Sequence, residues 1–173
     1  MDLSPWYVGF ARDALSRRRR GRARTEGADT GKPFVSIDVA NAEALPFPSE
    51  TFDVVTSVFM LHELPRHVRR AALAEMRRVL APGGLLVLGD AAQPSESAEL
   101  TPALEQFSKD MHEPFFSDYL EDDLAALLEE AGFVGVQVSP HFVSKVVSAT
   151  RMTGIASVIP MTAVGSIFQL FAM

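Results

Sequence analysis

The sequence predicts an α/β protein with a doubly wound, mostly parallel sheet that ends in an antiparallel hairpin. Two observations lead to this prediction. Short apolar runs alternate along the chain with amphipathic segments of helical period, as strands and crossover helices do in a parallel sheet. The last two apolar runs are joined only at Pro140 and His141, which is too short for a crossover and favours a hairpin.

The elements are predicted in chain order from their capping residues and periodicity. Ser4 and Pro5 are typical of a helix N-cap and first turn, so a helix is expected behind them. Strands are predicted at Phe34–Asp38, Phe52–Phe59 and Leu85–Gly89, and the hairpin at 134–139 and 142–151. Helices are predicted at Arg66–Leu80, ended by Ala81–Gly84, and at Asp118–Phe133, with Asp122, Asp123, Glu129 and Glu130 on the solvated surface of the second.

Composition excludes some classes of function. The 173 residues carry a net charge of −6, which argues against nucleic-acid binding, although six arginines fall within residues 17–24. We interpret that run as the solvated end of the first helix rather than as a binding patch, because it lacks interleaved aromatic residues. The chain has no cysteine, which excludes disulfides and thiolate ligands.

Two stretches of the sequence resemble class I S-adenosylmethionine-dependent methyltransferases. They are "NAEALPFPSETFDVV" (41–55) and "LHELPRHVRRAALAEMRRVLAPGGLLVL" (61–88). The resemblance covers about residues 1–151 as a partial methyltransferase domain with a Rossmann-like sheet. It is strongest to the ubiquinone/menaquinone biosynthesis C-methyltransferases, and it implies methyl transfer to a small, apolar acceptor.

The resemblance implies four cofactor-binding positions. Asp2 matches the acid that ends the second strand and binds the ribose hydroxyls of S-adenosylmethionine. Asn41 and Ala42 match the adenine site, for which Asp38 is a second candidate, and Val58 matches a backbone contact after the next strand. Asn41 has an alternative role, since asparagine often caps the loop after a strand.

His62 is the candidate catalytic residue. It follows the predicted strand Phe52–Phe59, beside Glu63, and a histidine there can take a proton from a methyl acceptor. The alternative is that His62 and Glu63 only pack or cap where the strand turns. The other histidines are His67, His112 and His141; their spacing fits no metal site, and no metal is predicted.

The resemblance also implies an expectation about the start of the domain. In the resembling family a first, central strand and a glycine-rich turn precede the position of Asp2, and no such pattern occurs here. We therefore expect the chain as written to be N-terminally incomplete and to bind S-adenosylmethionine poorly or not at all. The alternative function is a truncated, non-catalytic remnant that binds a partner, for instance by pairing its sheet with another chain.

Two apolar segments have open interpretations. "FSKDMHEPFF" (107–116) suits either a lid over an apolar acceptor or ordinary core. The C-terminal tail, residues 152–173, has no charged residue from Met152 onward, and either covers the sheet or contacts a membrane. A cytoplasmic location is expected, or an organellar one if a targeting segment precedes the chain; the sequence does not indicate an oligomeric state.

Overall fold

The computed structural model of the chain describes residues 13, 39–96, 98–153 and 167–171. Within them it confirms the predicted α/β architecture, with one mixed sheet. The strands are β1 (Phe52–Val58), β2 (Leu80–Ala91), β3 (Phe133–His141), β4 (Ser144–Arg151) and β5 (Ile167–Phe171). The helices are α1 (Arg66–Val79), α2 (Thr101–Asp110), α3 (Phe116–Glu121) and α4 (Leu124–Glu130), with 3-10 turns at Leu61–Glu63 and Ala98–Leu100.

The strand order of the sheet is β3-β4-β2-β1-β5. Strand β1 is parallel to both β2 and β5, whereas β4 is antiparallel to β2 and β3, as predicted for the hairpin. Val58, the last residue of β1, pairs with Gly89 of β2. The carboxyl ends of β1 and β2 therefore lie together, and we call this side of the sheet the carboxyl edge. Open α/β sheets bind their ligands there.

The core lies between one face of the sheet and the helices. Val55, Leu86 and Val147, which share that face, are buried in one cluster with Met76 of α1 and Leu128 of α4. Full burial of such a side chain contributes about 1.5–3 kcal/mol. This explains why the apolar runs of the sequence located β1, β2 and β4 correctly.

The transition from α1 to β2 differs from the prediction. The helix ends one residue before Leu80, and the segment Ala81–Gly84, which was expected to end it, already belongs to β2. A Cβ on Gly84 would lie 2.9 Å from the carbonyl oxygen of Asp53, at the start of β1. It would lie equally close to the carbonyl oxygen of Ala81 and to the side chain of Leu80, so glycine is needed here because the backbone of β1 and the start of β2 leave no room for a side chain, rather than to stop the helix.

The prediction of a single helix at Asp118–Phe133 is wrong. The chain forms two helices there, α3 and α4, with a break at Asp122. Asp122 has an extended backbone, and its carboxylate pairs with Arg69 of α1. The next residue, Asp123, caps α4 by accepting a hydrogen bond from the backbone N–H of Ala126 at 3.0 Å. The two acids thus have structural partners, contrary to the expectation that both are merely solvated.

The C-terminal tail contributes one strand to the sheet. Residues Ile167–Phe171 form β5, which runs parallel to β1 with Val54 opposite Ile167 and Val58 opposite Phe171. Among the residues that the structure describes, no helix is long and apolar enough to cross a membrane. The predicted strand Phe34–Asp38 lies outside the described residues, and in the stretch predicted to be helical after Ser4 only Asp13 is described, as helix.

Candidate functional site

A tight turn at the end of β1 brings a histidine to the carboxyl edge. The backbone N–H of Phe59 donates to the carbonyl of Gly89 at 2.8 Å, which keeps the end of β1 in register with β2. Phe59 itself has φ +48°, a left-handed conformation that is rare for an aromatic residue. The chain then turns into the 3-10 turn Leu61–Glu63, which places His62 beside the end of β2.

His62 and Asp90 form a buried pair, which we call the His62–Asp90 dyad. The Nδ1 atom of His62 lies 2.5 Å from Oδ1 of Asp90, the penultimate residue of β2. Asp90 also accepts hydrogen bonds from the backbone N–H groups of Leu61 and Ala91, each at 2.9 Å. A buried carboxylate is costly unless it is paired and hydrogen-bonded, and these partners meet that need. Donation from Nδ1 to Asp90 leaves Nε2 as the free nitrogen of the imidazole.

A second carboxylate faces the other ring nitrogen. Oε2 of Glu113 lies 3.7 Å from Nε2 of His62, and this buried oxygen accepts no hydrogen bond from the described residues. Burial lowers the pKa of His62, but the hydrogen bond and charge of Asp90 and the charges of Glu113 and Glu63 raise it more. The pKa of His62 therefore lies above the ordinary value of 6.5. Burial also raises the pKa of Glu63.

The carboxylates should control the titration of His62. Asp90→Asn is expected to lower the pKa of His62 clearly, and Glu113→Gln to lower it less, because Asp90 contributes the larger interactions. Proton NMR titration of the imidazole measures both shifts, with Glu99→Gln as an exposed control. Because folding raises the pKa of His62, protonation of His62 stabilises the folded state. This contribution is fully present below pH 6.5, the unfolded-state value, and is lost as the pH rises through the folded-state pKa. An unchanged pKa in Asp90→Asn would contradict the geometry.

Three aromatic rings surround the imidazole of His62. Phe59, Phe116 and Tyr119 have ring centroids 6.2, 5.6 and 6.1 Å from it, and each meets it at a steep angle. Phe116 and Tyr119 are buried, whereas Phe59 is 49% exposed. The exposed side chain of Phe107 belongs to the same region, since its ring centroid lies 5.3 Å from that of Phe116. Phe116 is therefore core, whereas Phe107 and Met111 are exposed, and the lid interpretation of 107–116 stays a prediction.

Arg69 holds the turn that carries His62. Its side chain is fully buried, which charged residues rarely are unless paired. The Nε atom donates to the carbonyl of Leu61 and Nη2 to that of Leu64, both at 3.0 Å, and Nη1 binds the carboxylate of Asp122. The guanidinium also lies 5.2 Å from the ring centre of Tyr119. Helix α1, the 3-10 turn and the segment before α4 are therefore fixed by one cation.

Lys145 is a buried cation near the same edge that sequence reasoning missed. In the β2–β4 ladder Lys145 is the residue opposite Asp90. Its Nζ atom donates hydrogen bonds to the side chain of Gln93 and, at 3.1 Å, to Oε1 of Glu96. Burial lowers its pKa, against the opposing effect of Glu96. Gln93 in turn donates to the carbonyl of Tyr119. This network joins the hairpin to α3, and in the sequence Lys145 looks like any polar residue of a strand.

The other sequence-derived candidates do not join His62. Asp2 lies outside the described residues. Asn41 is exposed and accepts a hydrogen bond from the backbone N–H of Glu43 at 2.9 Å, so it does cap its turn, as the alternative interpretation expected. Ala42 is buried in the core cluster, and Val58 is half-buried at the end of β1. The cofactor roles of these residues remain predictions. No group of side chains that could hold a metal occurs among the described residues.

Comparison with known proteins places the sequence among methyltransferases. The family model described as "Methyltransferase domain" matches residues 2–88. The chain is 34% identical over 132 residues to a demethylmenaquinone methyltransferase of Anoxybacillus flavithermus, covering 65% of the chain and 54% of the relative. It is 38% identical over 96 residues to a ubiquinone/menaquinone biosynthesis C-methyltransferase of Marinomonas, covering 56% of the chain and 36% of that protein. These matches confirm the resemblance found in the sequence.

The fold is also found in solved structures. A crystal structure of a Methanosarcina mazei protein described as a SAM-dependent methyltransferase superposes with a TM-score of 0.50 at 21% identity, over 80% of this chain and 77% of that chain. At this identity the likeness shows the fold alone. The chain spans about half, or less, of the length of the curated relatives named above.

Proposed function

The chain belongs to the methyltransferase domain family, and we propose that it transfers a methyl group from S-adenosylmethionine to an apolar acceptor whose proton His62 removes. The observation that carries this proposal is the His62–Asp90 dyad at the carboxyl edge of the sheet. Ligands of such sheets bind at this edge, and the dyad supplies a proton acceptor there.

The dyad has the properties of a general base. Asp90 fixes the imidazole through Nδ1, which leaves the lone pair of Nε2 free to accept a proton. A raised pKa makes Nε2 a stronger base once it is deprotonated. Glu113 faces Nε2 at 3.7 Å, so the acceptor's hydroxyl must take the place of its carboxylate to reach the nitrogen.

The acceptor is proposed from the site and from the relatives. The relatives are named for demethylmenaquinone and for ubiquinone/menaquinone biosynthesis, and rings of that kind suit the aromatic surroundings of His62. We infer an apolar ring that carries an acidic hydroxyl. His62 Nε2 takes the hydroxyl proton, and the oxygen's electrons shift into the ring, so that a ring carbon becomes nucleophilic. The methyl that bound S-adenosylmethionine would supply replaces the hydrogen of that carbon. This hydrogen leaves as a proton and the oxygen regains one, which restores the aromatic ring and the hydroxyl, while the electron pair of the carbon–sulfur bond would stay on sulfur.

The described residues fit the adenosine end of the cofactor. Asn41 is exposed, and its side-chain amide carries a carbonyl and an amino group that can read the edge of a base. The backbone of Ala42 adjoins it, and Val58 would contact the cofactor at the end of β1. When bound, S-adenosylmethionine supplies a methyl group on a positively charged sulfur. Bringing that methyl to the acceptor is mainly a matter of positioning.

Titration with S-adenosylmethionine tests the cofactor site. Binding is expected to be weak, toward the millimolar range, and Asn41→Ala should weaken it about fivefold to tenfold, the value of one or two hydrogen bonds. Asn41→Asp is the matched control, because its carboxylate still accepts the hydrogen bond of Glu43 and can still accept from the adenine amino group. Calorimetry measures all three affinities. Equal affinity in Asn41→Ala would remove Asn41 from the site, and absence of wild-type binding would contradict the proposed function.

A further inference from the structure

We infer that Phe59 is the specificity-determining residue of the acceptor site, and that it selects planar aromatic rings over saturated rings of similar size. This inference rests on the proposed function for the identity of the acceptor. It is carried by three properties of Phe59: its strained backbone, its exposure and its position beside His62.

The backbone of Phe59 adopts an unfavourable conformation. A left-handed φ of +48° suits glycine, asparagine or aspartate far better than an aromatic residue. The hydrogen bond from its N–H to Gly89 and the turn at Leu61–Glu63 fix this geometry. Residues kept in such conformations cluster at active sites and ligand clamps, since elsewhere a glycine would serve better.

Packing does not explain why a phenylalanine is needed there. The side chain is 49% exposed, so about half of its surface gains nothing from burial. Of the three rings around His62, the other two are buried, and both belong to the region of α3. Phe59 is therefore the ring of this trio that an incoming molecule can meet.

The geometry also indicates the class of molecule. The ring of Phe59 stands at 79° to the imidazole with centroids 6.2 Å apart, so its outer surface forms a wall next to the base. Edge-to-face and offset contacts with such a wall favour a planar ring. A saturated ring buries similar area but lacks these contacts. A planar ring whose hydroxyl points to Nε2 of His62 would contact both the imidazole and the ring of Phe59.

Phe59→Gly tests this inference, because glycine tolerates the backbone and removes only the ring. Phe142→Gly is the matched control: Phe142 also has a left-handed φ, +58°, and is 75% exposed, but it lies in the β3–β4 turn. The probes are 2-naphthol and decahydro-2-naphthol, which share a hydroxyl and differ in planarity. Calorimetry on the full chain measures both affinities, and thermal unfolding shows that each variant is folded.

The wild-type chain and Phe142→Gly should prefer 2-naphthol by about threefold to tenfold, the value of an aromatic pair. In Phe59→Gly the preference should fall below about twofold, with the unfolding temperature within about 3 °C of wild type. An unchanged preference in Phe59→Gly, or no preference in the wild-type chain, would overturn the inference. The probes need no cofactor, so a preference that depends on Phe59 would stand even if methyl transfer were not found.

Discussion

His62→Gln is expected to lower kcat for methyl transfer by about 10²-fold to 10⁴-fold, the contribution of a positioned general base. Glutamine keeps a polar side chain of similar length but cannot accept a proton at Nε2. The loss should appear in kcat more than in KM, because the proton is transferred in the reaction and not on binding. Single-turnover assays with reduced demethylmenaquinone as acceptor measure it.

His67→Gln is the control for this prediction, since His67 is exposed on α1 and the described structure gives it no contact with the dyad. It should retain wild-type turnover. The wild-type rate should rise with pH through a value above 6.5, because His62 must be deprotonated to act as a base. Asp90→Asn should shift this rise in rate to lower pH, because it lowers the pKa of His62. A His62→Gln variant with a wild-type rate would show that His62 only packs at the turn, the alternative that the sequence left open.

Arg69→Met should lower the free energy of unfolding by about 3–5 kcal/mol, the cost of breaking a buried ion pair by removing one partner. Methionine fills similar space, so the loss reflects the carbonyls of Leu61 and Leu64, which lose their donor, and the carboxylate of Asp122, which keeps only its contact with the more exposed Arg66 at 2.9 Å. Urea unfolding followed by circular dichroism measures it. The 3-10 turn should loosen as well, because both carbonyls flank His62.

Arg70→Met is the matched control, because Arg70 is the next residue of α1 and pairs with Glu130 on the surface. Exposed pairs contribute about 0–1 kcal/mol, so little change is expected. The double variant Arg69→Met with Asp122→Leu should recover part of the loss, since the buried carboxylate that has lost its buried cation is removed as well. Equal effects of the two arginine substitutions would contradict the structural role given to Arg69.

The fold was largely predictable because the strands are buried and therefore apolar. Val55 and Leu86 lie in continuous apolar runs, which are typical of strands buried in a sheet. Ala72 and Met76 lie four residues apart on the buried stripe of α1, a spacing that is typical of a helix. The break at Asp122 could not be read locally, because it depends on Arg69, which is 53 residues away in the chain. The local sequence pattern of residues 118–133 predicts one continuous amphipathic helix.

The candidate site was predictable only in part. His62 was found because it follows a buried strand, whereas its partner Asp90, the residue after the predicted strand Leu85–Gly89, was not singled out as a site residue. The rule that carboxyl ends of neighbouring parallel strands meet could have joined them. No such rule leads to Glu113 or Phe59, since the first lies in a loop and the second depends on a backbone angle. The tail was expected either to cover the sheet or to contact a membrane, whereas its residues Ile167–Phe171 pair with β1 as a further strand.

Transfer of a labelled methyl group tests the central claim most directly. The chain is incubated with millimolar S-adenosylmethionine carrying a labelled methyl, with reduced demethylmenaquinone, and the products are identified by mass spectrometry. The account predicts labelled methyl on a ring carbon of the acceptor with the wild-type chain, and strongly reduced product with His62→Gln. Folded wild-type protein that gives no labelled acceptor at any cofactor concentration tested would contradict it.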